Sequence, residues 1–274
     1  MHISGTSLHA WFTSMPLTAA TALVALSAVF LLARALHRHR IVDVAWGPAF
    51  CAVALVGYLC SSGHGDPTRR ALALALTAAW GLRLGAHIAR RGRGAPEDPR
   101  YAALLAKARG NPTWYAYTHI YLLQAVLVWF VSLPVQAAEF GQAAPGPLVI
   151  PALALWLLGF SFETIGDYQL ARFKADPANK GRLMRYGLWS YTRHPNYFGD
   201  ACVWWALFLL CADQEAGWCT VLSPIVMTLL LTAGSGLRLA ERHMAATRPE
   251  YAAYRARTSP FIPRPPRRPR PPGR

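Results

Sequence analysis

Residues 185–200 read Arg-Tyr-Gly-Leu-Trp-Ser-Tyr-Thr-Arg-His-Pro-Asn-Tyr-Phe-Gly-Asp, a short stretch holding two arginines, a histidine, an asparagine and an aspartate among aromatic rings. Pro195 suits the first turn of a helix, where its missing N–H costs nothing. The free N–H groups and positive dipole end of a helix starting there attract phosphate, and the guanidinium forks of Arg185 and Arg193 match its geometry. Asn196 and Asp200, spaced i, i+4, share one face and suit ribose hydroxyls or a carboxamide. An interfacial belt of Trp, Tyr and Arg accounts for the rings and arginines of this stretch, but not for His194, Asn196 and Asp200. A second stretch, 160–174, stacks Glu163 and Asp167 on one helix face before Arg172 and Lys174. Such like charges repel unless a cation or hydroxyl meets them; a solvated helix end paired with Lys or Arg is the plainer account.

Other chemistries lack their residues. There is no G-x-G-x-x-G after a strand pattern and no G-x-x-x-x-G-K-[ST], so the phosphates of a nucleotide would meet side chains. The nine histidines form no ligand boxes and the five cysteines no C-x-x-C pair, which leaves no metal site and no disulfide framework. Gly234-Ser235-Gly236 lacks the spacing of a nucleophile elbow.

The elements that position these residues follow from composition. Of 274 residues 54% are hydrophobic and only 15% charged, yet the net charge is +15. A nucleic-acid binder would be rich in charge; this balance is that of a membrane protein. Apolar runs near 16–36, 41–60, 70–89, 114–136, 147–166, 197–212 and 219–237 predict an all-α fold with seven transmembrane helices, the sixth being the shortest. The first run lacks a basic leader and a small-residue cleavage site, and reads as a retained span. Counted over this topology, 25 of the 28 basic residues fall on one side, leaving Arg69 and Arg70 opposite and Arg83 within a span. Positive charge marks the cytoplasmic side, so the N-terminus is expected outside and the C-terminus inside. Residues 1–259 are expected to form one integral-membrane domain. Residues 260–274, with seven prolines and five arginines, read as a disordered tail that touches anionic headgroups.

The string Gly187–Asp200 resembles the C-terminal signature of the steroid 5-alpha-reductase-like membrane reductases, especially their bacterial branch. It is similar to the matching segment of the sterol C14 and C24(28) reductases. The resemblance continues through Asp43-Val-Ala-Trp-Gly-Pro-Ala-Phe50, Trp80-Gly-Leu-Arg-Leu84, Glu97-Asp-Pro-Arg-Tyr101, Gly166-Asp-Tyr-Gln-Leu-Ala-Arg-Phe-Lys174, Glu241 and Arg248-Pro-Glu-Tyr-Ala-Ala-Tyr254. It implies an intramembrane NADPH-dependent reductase of an activated carbon–carbon double bond, in a bacterial inner membrane with its cofactor facing the cytoplasm. By matching position it nominates Asp167, Lys174, Asn179, Arg185, Arg193, His194, Asn196, Tyr197, Asp200, Trp204 and Glu241 for the cofactor, with Arg93 from an earlier loop. Animal members carry a Gln-Glu pair in span two and a Tyr in span three; this chain has Asp43 and Trp46 in span two and no Tyr in span three.

The expected reaction is conjugate reduction of an enone, 3-oxo-delta4-steroid-like, in a lipophilic substrate: hydride goes to the β-carbon while a hydrogen-bond donor polarises the carbonyl. Asp43, kept protonated, is the first candidate donor, with Tyr101, Tyr117 and Gln124 behind it; an ion pair between Asp43 and a basic neighbour is the plainer role. The expected partners are the substrate and membrane lipids, with no nucleic acid and no obligate protein. The rival reading is an isoprenylcysteine-type methyltransferase using S-adenosylmethionine, whose signature also holds Arg-His-Pro-x-Tyr before a span. A lipid-binding or transport protein without catalysis is the third.

Overall fold

A computed structural model describes residues 5–214, 217–234 and 236–267, and among these the chain is helical, with a lone bridge between Thr192 and Ser259. It divides into two compact units, residues 1–150 with 207–223 and residues 151–206 with 224–274.

The first unit is built on α1 (Gly5–Leu36), α2 (Ile41–Cys60), α3 (Pro67–Arg91) and a fourth long element, Pro112–Phe140. Short α4 (Pro99–Leu105) lies in the third connection. The fourth element is not one regular helix. It runs through α5 (Pro112–Ala116), a π-helical stretch Tyr117–Leu122, α6 (Leu123–Val131) and α7 (Leu133–Phe140). The starts of α3, α4 and α5 are locally dictated: Asp66, Asp98 and Asn111 each precede a proline and accept backbone N–H bonds from Arg69, Arg100 and Thr113. α1 ends on His37 in the left-handed region, φ 50°, with Arg38 N–H bonded to Ala33 O and His37 N–H to Arg34 O.

These helices run up and down between two ends. At one, the Ser7 hydroxyl donates to Phe140 O at 2.6 Å, and Asp66 N–H to Gly141 O at 2.8 Å. Arg69 binds Asp213 there and donates to Ala143 O and Ala144 O. At the other, Glu97 accepts the backbone N–H groups of His39 and Arg40, at the head of α2. α2 and α3 cross so closely that a methyl on Gly81 would lie 2.6 Å from both Gly47 O and Cys51 Sγ. Between α1, α6 and α7, Thr18, Gln136, Ser132 and Trp129 satisfy one another's hydrogen bonds.

The second unit contains α8 (Val149–Ala175), α9 (Leu188–Tyr191), most of α10 (Pro195–Leu209) and α11 (Leu222–Thr232), α12 (Leu237–Thr247) and α13 (Tyr251–Arg257). α8 is longer than expected, so that residues 167–174 lie on helix and not in a loop. Among the described residues five helices are long and apolar enough to cross a membrane: Ser7–Leu36, Ile41–Cys60, Pro67–Arg91, Pro112–Phe140 and Val149–Ala175. The sixth and seventh expected spans correspond to shorter pieces. α10 has 15 residues, about 22 Å at 1.5 Å per residue against a hydrocarbon core of about 30 Å, and Gly217–Thr232 is a 3₁₀ turn followed by α11. The turn after Leu209 and Pro224 inside α11 fall where longer apolar runs were expected.

The first residues of the expected tail are bonded. Thr192 donates its hydroxyl to Phe261 O, Arg264 N–H bonds Tyr191 O, Arg267 N–H bonds Arg257 O, and the Phe261 ring packs edge-on against Phe198 at 6.0 Å. Residues 260–267 are thus tied to the second unit; the expectation for 268–274 concerns residues outside those described, as do the side chains of Arg238 and His243.

Candidate functional site

In the second unit α8 and α10 approach through glycines. A methyl on Gly199 would collide with Gly159 O and lie 2.6 Å from Glu163 N. Only this close crossing brings Glu163, Asp167, Asn196 and Asp200 together: Glu163 is 2% exposed, Asp167 6% and Asp200 9%. Asn196 Nδ2 donates to Asp167 Oδ1 at 3.4 Å. Pro195 packs on Gly166, and Trp189 donates its indole N–H to Gly166 O at 3.0 Å. Three buried carboxyl groups and a carboxamide on one helix pair are costly in an apolar bundle, which marks the cluster for function.

Beside it, Arg193 is occupied. Its Nε donates to Glu241 Oε1 at 2.7 Å, its Nη2 lies 2.7 Å from the same oxygen, and Nη1 donates to Thr258 O at 2.6 Å and Arg255 O at 3.2 Å. His194 Nε2 sits 3.4 Å from Glu241 and its ring stacks on Tyr197, 5.3 Å between centroids. Burial pushes the His194 imidazole down to about 4 against the pull of Glu241, so it is neutral at ordinary pH. Tyr254 donates to Trp189 O, and burial lifts the Tyr251 phenol to about 12. Arg193 and Glu241, expected to meet a cofactor, therefore fasten the C-terminal segment to the loop that leads into α10.

The remaining nominees scatter. Asn179 closes the end of α8, donating to Phe173 O at 3.0 Å and to Asp176. Lys174 and Arg185 are exposed, and Arg185 lies over the Tyr186 ring at 6.0 Å. Trp204 is fully enclosed in α10. Arg93 is exposed and belongs to the first unit.

The first unit has its own polar cluster at the Glu97 end. Tyr101, 9% exposed, donates its hydroxyl to Asp43 Oδ1 at 2.6 Å, and Arg100 bridges Asp43 and Asp98 at 2.9 Å each. Asp43 accepts in both contacts, the Tyr101 hydroxyl donating to one carboxyl oxygen and Arg100 to the other. Burial, then the Asp43 charge, hold the Tyr101 phenol well above its ordinary value. Burial works to raise Asp98, but the hydrogen bonds from Arg100 bring it below the usual carboxylate range. His39 Nδ1 lies 2.9 Å from Tyr121 Oη, and Tyr117 Oη 3.0 Å from Ser27. Both tyrosines stand on the π-helical stretch, which rotates their register relative to a regular helix. Tyr121, Glu97 and His39 escaped the sequence reading as site residues. The Asp-Pro and Asn-Pro pairs that start α4 and α5 were the signal that this loop is folded; nothing in the sequence announces the π turn.

Fold and site define an all-helical protein with membrane-length apolar helices and two buried polar clusters. Residues 29–258 match the family model DUF1295, described as a protein of unknown function, and the chain belongs to that family. An uncharacterized protein of Schizosaccharomyces pombe is 24% identical over 254 residues, covering 81% of this chain and 72% of that protein. No solved structure matches the chain.

Proposed function

We propose that this protein is a steroid 5-alpha-reductase-like membrane enzyme that uses NADPH to reduce an activated carbon–carbon double bond in a lipophilic substrate. The proposal includes seven spans, with α10 and Gly217–Thr232 as the short sixth and seventh, an outside N-terminus, and a cytoplasmic C-terminus and cofactor site in a bacterial inner membrane. The observation that carries it is the buried cluster of Glu163, Asp167, Asn196 and Asp200, drawn from two stretches of the resemblance that are far apart in sequence.

The donor set suits a phosphorylated dinucleotide. Carboxylates and a carboxamide on α8 and α10 accept from ribose hydroxyls and a nicotinamide amide, while Lys174 and Arg185 are exposed cations of the kind that meets phosphate. When bound, NADPH supplies the hydride. Arg193, Glu241 and neutral His194 act indirectly in this reading, by fixing the loop that carries Asn196 to the start of α10.

Purified full-length protein in detergent tests the reading by thermal stabilisation and nicotinamide fluorescence with NADPH. Asn196→Ala and Asp200→Ala should each weaken NADPH binding at least tenfold, about the 1.4 kcal/mol of one hydrogen bond to a bound ligand. Stabilisation by S-adenosylmethionine in place of NADPH, or normal NADPH binding by both variants, would sink it.

A further inference from the structure

The buried polar side of α8 has an outward counterpart. Ala154, Leu157, Ser161, Ile165, Tyr168 and Arg172 are all exposed, at spacings of 3, 4, 4, 3 and 4 residues, and so form one continuous stripe along the helix. The stripe is mainly apolar from Ala154 to Ile165, then passes through a phenol to a guanidinium. From Leu157 to Arg172 it runs about 22 Å at 1.5 Å per residue, more than the roughly 15 Å of one hydrocarbon leaflet. Its charged end opens into a groove of about 940 Å³. The groove is walled by Ile165, Phe173 and Met184 on the apolar side and by Tyr168, Arg172 and Tyr186 on the polar side. Tyr168 and Tyr186 are 62% and 60% exposed. Lys180, Arg182 and Arg185 add positive charge on the adjoining exposed loop, against one carboxylate, Asp176, in the groove wall.

We propose that this groove is a binding site for one anionic phospholipid. Its phosphate pairs with Arg172, the two tyrosines flank the headgroup, and an acyl chain lies along Ile165 and Leu157. The order of chemistry along the stripe, apolar then aromatic then cationic, is the order met in a leaflet from its centre outward. A cation in the last turn of α8 also suits the helix dipole, but that role gives no preference among lipids and needs no groove. The site does not depend on the reductase reading, since it uses the outward face of α8 and none of the residues buried against α10.

Native mass spectrometry of the full chain, with phosphatidylglycerol, phosphatidylcholine or NADPH added, tests this. Wild type should retain one phosphatidylglycerol in preference to phosphatidylcholine. Arg172→Gln should bind it about fivefold more weakly, as expected from about 1 kcal/mol for one basic residue at an anionic surface, and Arg172→Glu should lose it. Arg109→Glu, an exposed charge of the first unit, should behave as wild type. Equal retention of both lipids, retention by Arg172→Glu, or the same loss in Arg109→Glu would overturn the site. Displacement of the lipid by NADPH would assign the groove to the dinucleotide, whereas a failure to bind NADPH alone would count against the reductase reading and leave the lipid site standing.

Discussion

Removing Glu241 tests how the loop before α10 is held. Arg193 is 6% exposed and Glu241 16%, so their contact is shielded from solvent and differs from a surface ion pair. In Glu241→Ala the guanidinium loses both contacts to carboxylate and keeps two backbone carbonyls, Thr258 O and Arg255 O, which carry no charge. Leaving a buried cation uncompensated costs about 3–5 kcal/mol, whereas an exposed pair is worth about 1 kcal/mol or less. For a protein of this size a loss of about 3 kcal/mol lowers the melting temperature by roughly 6–12 °C. Glu241→Gln, which keeps an acceptor but no charge, should fall between wild type and Ala. Arg193→Met together with Glu241→Leu should be less damaging than either single change, because no buried charge is then orphaned. The assay is thermal unfolding of wild type, the Glu241 variants, Arg193→Met and the double variant in one detergent. A cycle in which the two sites add to within about 0.5 kcal/mol would refute the argument, since a shielded pair cannot behave as independent groups.

Three further outcomes follow from the same geometry. Because burial sets His194 near 4 against an unfolded value of 6.5, its contribution to stability is complete above pH 6.5 and is lost as pH falls towards 4. At 1.36 kcal/mol per unit, about 2 kcal/mol should disappear between pH 6.5 and 5, and His194→Gln should flatten that part of a melting-temperature profile. Gly199→Ala forces a methyl into the backbone of α8 and should destabilise by more than about 3 kcal/mol, read as loss of folded protein in size-exclusion chromatography; accumulation at wild-type level would deny the close crossing. Tyr101→Phe leaves the half-buried Asp43 carboxyl without its phenol donor and should destabilise by about 1–3 kcal/mol, read as a lower melting temperature, and an unchanged melting temperature would deny that contact.

Much of this arrangement is written in the chain. Five spans were visible because an apolar run long enough to cross a bilayer needs no partner to declare itself. The pairing of Asp167 with Asn196 was half visible: each residue stood out as polar in an apolar setting, but that Gly159 and Gly199 let the two helices touch is a fact of tertiary packing. The bonds that Arg193 makes within the fold were out of sight for a physical reason. A guanidinium offers the same fork to a phosphate as to a carboxylate and two carbonyls, and only the fold reveals that Glu241, Arg255 and Thr258 stand within reach. The partners of Asp43 were out of sight for a similar reason, since the phenol and guanidinium that donate to it lie 58 and 57 residues away.

The charge asymmetry that suggested an outside N-terminus had two exceptions, Arg69 and Arg70, and the first unit accounts for both. Arg69 is 1% exposed and held by Asp213 at 2.7 Å. Arg70, 9% exposed, donates to Ser61 and Tyr58 O and lies over the Tyr58 ring at 4.6 Å. Neither presents free charge to a membrane surface, so neither counts against the basic residues at the Glu97 end, where Arg38, Arg91 and Arg93 are exposed. Topology then becomes testable with a native residue. Cys219 is the exposed cysteine; Cys51 and Cys60 are half-buried, and Cys202 and Cys211 buried. It sits in the segment 207–223, which joins the Ser7 end through Gln214 bonding Ala143 N–H. If that end faces outward, as the proposed orientation requires, a membrane-impermeant maleimide should label right-side-out vesicles, Cys219→Ser should abolish the label, and inverted vesicles should label only after permeabilisation. Labelling of inverted vesicles alone would reverse the orientation and with it the cytoplasmic placement of the cofactor site.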